Sequence, residues 1–245
     1  MYFDKYGNKT EKPAFAKPIP AGVSAQTVLD KYLEAIGGKE NAKKVSSVVM
    51  TGNTNIDGVP MQLSYTLKRM TPNKEAASLV AEGMGELMKS VFDGTSGYEM
   101  QQGQRQDLSA DKIAEKKGEH VIFPELHYDM KNVSLESLTT IDGEDVYKLK
   151  VVEGGKDTYR FYNVASGFLQ QVEYTTEQNG QKITTVLGYD NYTAISSYAG
   201  NDTVKDIQFP FAQSMKNTAG GRTMNINTLI KSLKFNEGVS EADFK

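Results

Sequence analysis

From Ser46 to Phe235 the sequence alternates apolar and polar residues, and turn signals interrupt the alternation at short intervals. Alternation with a period of two puts successive side chains on opposite faces of an extended strand. Asp57-Gly58, Asp93-Gly94, Asp142-Gly143 and Asn179-Gly180 are dipeptides that supply the positive backbone angles of tight hairpins. The pattern predicts twelve strands, over residues 46–57, 60–70, 74–82, 86–93, 98–101, 132–141, 145–153, 156–163, 168–177, 182–191, 206–216 and 222–235. In the second of these, Met61, Leu63, Tyr65 and Leu67 share one face, while Gln62, Ser64, Thr66 and Lys68 share the other. Strands and helices do not alternate, so nothing calls for a parallel sheet.

A dozen strands spaced about 4.8 Å apart would span roughly 60 Å, and twisted open sheets of more than ten strands curl or split. The chain therefore makes either two packed sheets or one sheet curled into a half-barrel with helices on its concave side. The class is α+β. Helical segments are few. Residues 24–37 place Val28, Leu29, Tyr32, Leu33 and Ile36 on one stripe, with Ser24 as cap and Gly37-Gly38 as exit. Residues 109–117 read as a short capped helix, and 123–128 as a helical turn opened by Pro124. Two pieces this short cannot cover a flat sheet of that width, but they can fill a groove.

Residues 1–23, with Pro13, Pro18 and Pro20, read as a flexible, proline-containing arm or interdomain linker, and 24–245 as one domain. The arm has no basic start and apolar run of a signal peptide, and no stretch of the chain is apolar enough to span a membrane. The chain has no Cys, which excludes disulfides, thiolate nucleophiles, thiolate zinc sites and a lipidated N-terminal cysteine within it. Its 28 Lys+Arg against 31 Asp+Glu lack the basic excess of a nucleic-acid partner.

Several phrases resemble the LolA/LppX-like, outer-membrane lipoprotein-sorting-like domains of the bacterial cell envelope. Residues 31–58, KYLEAIGGKENAKKVSSVVMTGNTNIDG, are similar to the opening helix that leads through a glycine pair into a first strand. FDGTSGY at 92–98, DGEDVYKLKV with TYRFYNVASGFLQQVEY within 142–174, and IQFPFAQSM at 207–215 follow in the family's order. The resemblance runs from Ser24 to Lys245. It implies a half-barrel of eleven or twelve strands whose helical lid encloses an apolar cavity for acyl chains, in the periplasm or cell envelope. In the lipoprotein carriers an arginine on the concave face holds the lid; this chain offers Arg69, Arg105, Arg160 and Arg222. Such domains also occur behind insulinase-like zinc peptidases, and a linker-like arm fits covalent attachment to an upstream domain. The chain has no HxxEH peptidase motif of its own.

The expected function is non-catalytic binding of a lipid or of a lipoprotein's acyl chain; the alternative is an accessory domain of a larger envelope protein with no ligand of its own. The candidate apolar lining is Leu29, Leu33, Ile36, Met61, Leu63, Tyr65, Leu67, Phe92, Phe161, Phe209 and Phe211. Methionines spread over the strands, among them Met61, Met88, Met215 and Met224, suit a surface that accepts variable hydrocarbon, although a packed core has the same binary pattern. Glu125, His127 and Asp129 are the one cluster with metal or acid–base character. A single His beside two carboxylates falls short of a zinc set, and the stretch reads as solvated lid surface. No cofactor, metal or catalytic residue is expected.

Overall fold

Ser24 starts the first helix by the reciprocal bonding that its sequence offers: its hydroxyl accepts from Thr27 N at 3.2 Å, and Thr27 Oγ1 accepts from Ser24 N at 2.9 Å. In the computed structural model of the chain, which describes residues 2–3, 9–10, 17–178, 180–197 and 203–245, this helix, α1, spans Ala25–Ala35. Most of the expected arm lies outside the described residues; β1 (Tyr2–Phe3) pairs with β2 (Lys9–Thr10) within it. Gly37 ends the helix at φ +113°, where any Cβ would stand 2.9 Å from the carbonyl of Asp206. That contact lets Gln208 N donate to Ile36 O at 2.9 Å, docking the helix end on the sheet. A four-residue helix, α2 (Lys39–Ala42), leads into it.

Thirteen antiparallel strands form one unclosed sheet: β3 (Ser47–Ile56), β4 (Leu63–Met70), β5 (Lys74–Ala81), β6 (Gly85–Phe92), β7 (Gly97–Gln101), β8 (Gln104–Asp107), β9 (Val133–Ile141), β10 (Glu144–Glu153), β11 (Lys156–Asn163), β12 (Leu169–Gln178), β13 (Gln181–Ser197), β14 (Val204–Ala219) and β15 (Arg222–Phe235). The half-barrel α+β class holds, with one strand more than expected. β8 has no apolar residue, so no alternation marks it, and β13 and β14 run beyond their expected ends to Ser197 and from Val204.

The order across the sheet is β8-β7-β6-β5-β4-β3-β15-β14-β13-β12-β11-β10-β9. Two meanders, β3–β8 and β9–β15, meet at the β3–β15 pair. Gly52 sits at that seam opposite a bulge in β15, where a Cβ would lie 2.3 Å from the carbonyl of Leu229. The two edge strands are neighbours in sequence, so the segment joining them, 108–132, has to pass from one edge to the other. It carries α3 (Ala110–Lys117), capped by Ser109, and two 3-10 turns, Pro124–Leu126 and Met130–Asn132. We refer to it as the strap.

The strap and α1 share the concave side. Val28, Leu29, Leu33 and Ile36 are at most 4 % exposed and pack on Val48, Met50, Leu149, Val172, Ile207 and Phe235. Each buried aliphatic side chain of this size contributes roughly 1.5–3 kcal/mol. On the convex side Phe244, in the C-terminal 3-10 turn Glu241–Phe244, packs with Val91 and Tyr98. Edge β9 is partly covered by the backbone of Lys17, which donates to Leu138 O at 3.0 Å, while edge β8 is short, exposed and carries Arg105 and Asp107.

The turn at Asp93 makes a testable contribution. Its carboxylate accepts from Thr95 N and Ser96 N, each at 2.7 Å, and from both hydroxyls. The backbone bond from Ser96 is the largest influence, and the set lowers the Asp93 pKa to about 2. A depressed carboxylate stabilises the fold above its unfolded pKa and loses that contribution as pH falls through the folded value. Asp93→Ala is therefore expected to cost about 1–2 kcal/mol at pH 7, discounted for solvent access, and the difference from the parent should vanish between about pH 4 and pH 2. Urea unfolding at a series of pH values tests this; a pH-independent difference would contradict it.

Candidate functional site

Strand register defines which side chains share the concave face. One row runs Arg160–Val172–Leu187–Met215–Ile226–Ile56 across β11, β12, β13, β14, β15 and β3. At about 4.8 Å per strand it is roughly 24 Å long. Its β11 end lies under the strap. Its β3 end joins a second apolar cluster of Leu63, Leu79 and Ala81, with Ile56, Met61, Tyr65 and Leu87 packed against it. Among the described residues no helix residue belongs to that cluster, whose Leu63, Leu79 and Ala81 are nonetheless buried. Met88, paired with Leu79, and Met224, two residues from Ile226, are 47 % and 43 % exposed at its rim.

The other half is filled. Phe123 of the strap, Phe209 of β14 and Phe235 of β15 form an aromatic triangle with centroid distances of 6.1–6.5 Å. Tyr32 of α1 stands edge-on to Tyr162 at 5.3 Å. Hollows of about 250 Å³ near Tyr98 and Phe244 and about 810 Å³ beside α2 lie away from this space.

Between the halves lies a polar belt. Arg160 Nη1 donates to Glu125 Oε1 at 2.9 Å, and the hydroxyl of Tyr162 donates to the same oxygen at 3.1 Å. The side chain of Glu125 is 1 % exposed and that of Arg160 is 15 % exposed. Burial acts against the charge on Arg160, but the oxygens of Tyr128 and Glu125 outweigh it and hold the guanidinium firmly protonated. Burial first, then Glu125, pushes the Tyr162 hydroxyl well above its ordinary range. On the other limb Arg69 meets Glu75 at 2.8 Å, and Lys116 of α3 reaches Glu75 at 3.7 Å. Burial would raise the Glu75 pKa, yet Arg69 and Lys116 together lower it. Burial also pushes Tyr65, beside Arg69, up to about 12. Glu115 of α3 pairs with Lys156 at the start of β11, so the strap is tied to both limbs of the half-barrel.

The residues expected to line one cavity are divided among these environments. Leu29, Leu33, Ile36 and Leu67 belong to the packed core. Met61 and Leu63 lie in the second cluster, and Tyr65 touches both clusters. Phe92 is buried on the concave side opposite Glu75, with Lys116 above its ring. Phe209 joins the aromatic triangle, and Phe211 packs on the main core. Phe161 faces the other way, against Lys148, because its neighbours Arg160 and Tyr162 take the inward positions of β11. The segment read as solvated lid surface also differs from expectation, since Glu125 is buried by its pairing with Arg160. His127 stacks on His120 at 3.9 Å, and among the described residues no three metal-binding side chains converge. Among the described residues, no helix is long and apolar enough to cross a membrane.

No family model and no curated protein matches the sequence. Solved structures do. An outer membrane lipoprotein-sorting protein domain from Vibrio parahaemolyticus is similar over 90 % of this chain and 97 % of its own, with a TM-score of 0.53 and 12 % identity. A LolA superfamily protein from Nitrosomonas europaea is similar over 91 % and 98 %, with a TM-score of 0.56 and 14 % identity. A DUF1329 family protein from Desulfovibrio piger is similar over 90 % and 97 %, with a TM-score of 0.56 and 12 % identity. At these identities the likeness concerns the fold: the chain has the curled-sheet architecture of LolA-superfamily and lipoprotein-sorting-like domains.

Proposed function

We propose that this chain binds the hydrocarbon of a lipid or of an acylated lipoprotein, without catalysis, in the bacterial cell envelope. The observation that carries this reading is the row of half-buried apolar side chains Leu187, Met215, Ile226 and Ile56 on the concave face, which ends beside the exposed Met88 and Met224. Large apolar side chains exposed together at the end of such a row are a feature of binding sites. Thioether side chains adapt to ligands of varied shape. The names of the similar structures, a lipoprotein-sorting domain and a LolA superfamily protein, point the same way.

Hydrocarbon removed from water contributes about 0.8 kcal/mol per CH₂. A chain of sixteen carbons thus offers on the order of 10 kcal/mol before ordering costs, enough for binding without a reactive group. Native mass spectrometry of the purified protein with phospholipid is expected to show adducts of lipid mass. Placing charge on the rim, Met88→Glu with Met224→Glu, should weaken binding of a fluorescent fatty acid at least tenfold. Both positions are exposed, so stability should change by no more than about 0.5 kcal/mol per site. Unchanged affinity in the double variant would place the ligand elsewhere, and no adduct under any condition would end the reading.

A further inference from the structure

We propose that the ligand of this groove carries a carbonyl oxygen at the root of its acyl chain, and that Tyr128 and Arg160 donate to that oxygen. The inference rests on the lipid-binding reading above and adds the chemistry of the ligand's polar end. Arg160 begins the apolar row that crosses the concave face to Ile56, so a group held there sits where a hydrocarbon chain would enter the row. One of its nitrogens serves Glu125. Its Nε is buried and has no acceptor among the described residues, and the same holds for the hydroxyl of Tyr128. The two groups are neighbours: the guanidinium carbon lies 5.4 Å from the Tyr128 ring centre.

Buried donors without partners are uncommon in folded proteins, and two side by side call for an explanation. Arginine can only donate, so what completes the site has to accept. Charge is not what is lacking at Arg160, because Glu125 balances it. A carboxylate or phosphate would bring further negative charge beside Glu125. A neutral ester or amide carbonyl offers two lone pairs to the two donors and adds no charge. Its attached chain would then pass beside the buried Val172 and follow the half-buried Leu187 and Met215 toward the cluster of Leu63, Leu79 and Ala81.

The test compares two ligands that differ only in that oxygen, 1-monododecanoylglycerol and 1-O-dodecylglycerol, by displacement of a fluorescent fatty acid from the full chain. The ester is expected to bind about tenfold more tightly than the ether, the value of a hydrogen bond to a charged donor. Tyr128→Phe, which removes a hydroxyl that has no partner among the described residues, should reduce the ester's advantage severalfold and leave ether affinity unchanged. Arg160→Lys, which keeps a cation for Glu125 but removes Nε, should do the same and guards against a fold-specific failure of the first variant. Equal binding of ester and ether by the parent protein would overturn the carbonyl proposal while leaving the groove as a hydrocarbon site. Binding of neither would overturn the lipid reading, and this proposal with it.

Discussion

Replacing Glu125 by alanine is expected to lower the unfolding free energy by about 3–5 kcal/mol, because removing one member of a buried ion pair strands the other. The side chain of Glu125 is almost wholly out of water, and it is the acceptor for both Arg160 and the Tyr162 hydroxyl. Without it, a guanidinium whose Nε has no acceptor among the described residues keeps its charge in a closed space. Glu125→Gln retains an acceptor oxygen and should cost less. Replacing both partners with apolar residues of similar volume, Glu125→Leu with Arg160→Met, should fall near the parent or above it. The chain has no Trp, so urea transitions are best followed by circular dichroism. A loss below about 1 kcal/mol in Glu125→Ala would mean that the pair is hydrated and that the strap is held by its other contacts.

The second large effect is expected at Phe123. Its ring is 6 % exposed within the aromatic triangle, and deleting a buried phenyl group costs about 3–5 kcal/mol. The residue also sits at φ +43°, ψ +62°, a left-handed conformation that costs a non-glycine residue roughly 1–2 kcal/mol. Burial of the ring between Phe209 and Phe235 offsets that strain. Two variants separate the terms. Phe123→Ala loses the ring and keeps the strain, whereas Phe123→Gly loses the ring and relieves it. Glycine should therefore melt at or above alanine here, the reverse of the usual order. In both variants hydrogen exchange over 119–132 should quicken more than exchange in β10 or β14, because the triangle is one of the strap's main anchors. If alanine proves the more stable of the two, the left-handed conformation is not what the chain adopts in solution.

The half-barrel was legible because strand alternation and Gly-bearing turns are local signals, and together they mark every long strand. β8 escaped because Gln104–Asp107 offers four polar residues, so nothing distinguishes a paired edge from a loop. The polar belt escaped for a different reason. Glu125 sits in the phrase Glu-Leu-His-Tyr-Asp, which looks solvated from its own composition, and its partner is 35 residues away on another strand. On β11, hydrophobicity alone favours Phe161 as the inward residue. The inward positions belong to Arg160 and Tyr162 because the strap brings a carboxylate to that face. No periodicity encodes such a long-range pairing. The leucines and methionines of the candidate groove had the right pattern, but whether a helix would cover them depended on how far α1 and the strap extend.

The strand order has a consequence for how the molecule could be taken apart. A cut anywhere within residues 108–132 would break none of the strand pairs, because the strap is the one long connection that contributes no strand to the sheet. The two resulting fragments would still meet along nine residue pairs of β3 and β15. They would form a complementary two-chain protein, joined elsewhere by side-chain contacts and by single backbone bonds such as those from Gln208 to Ile36 and from Lys17 to Leu138.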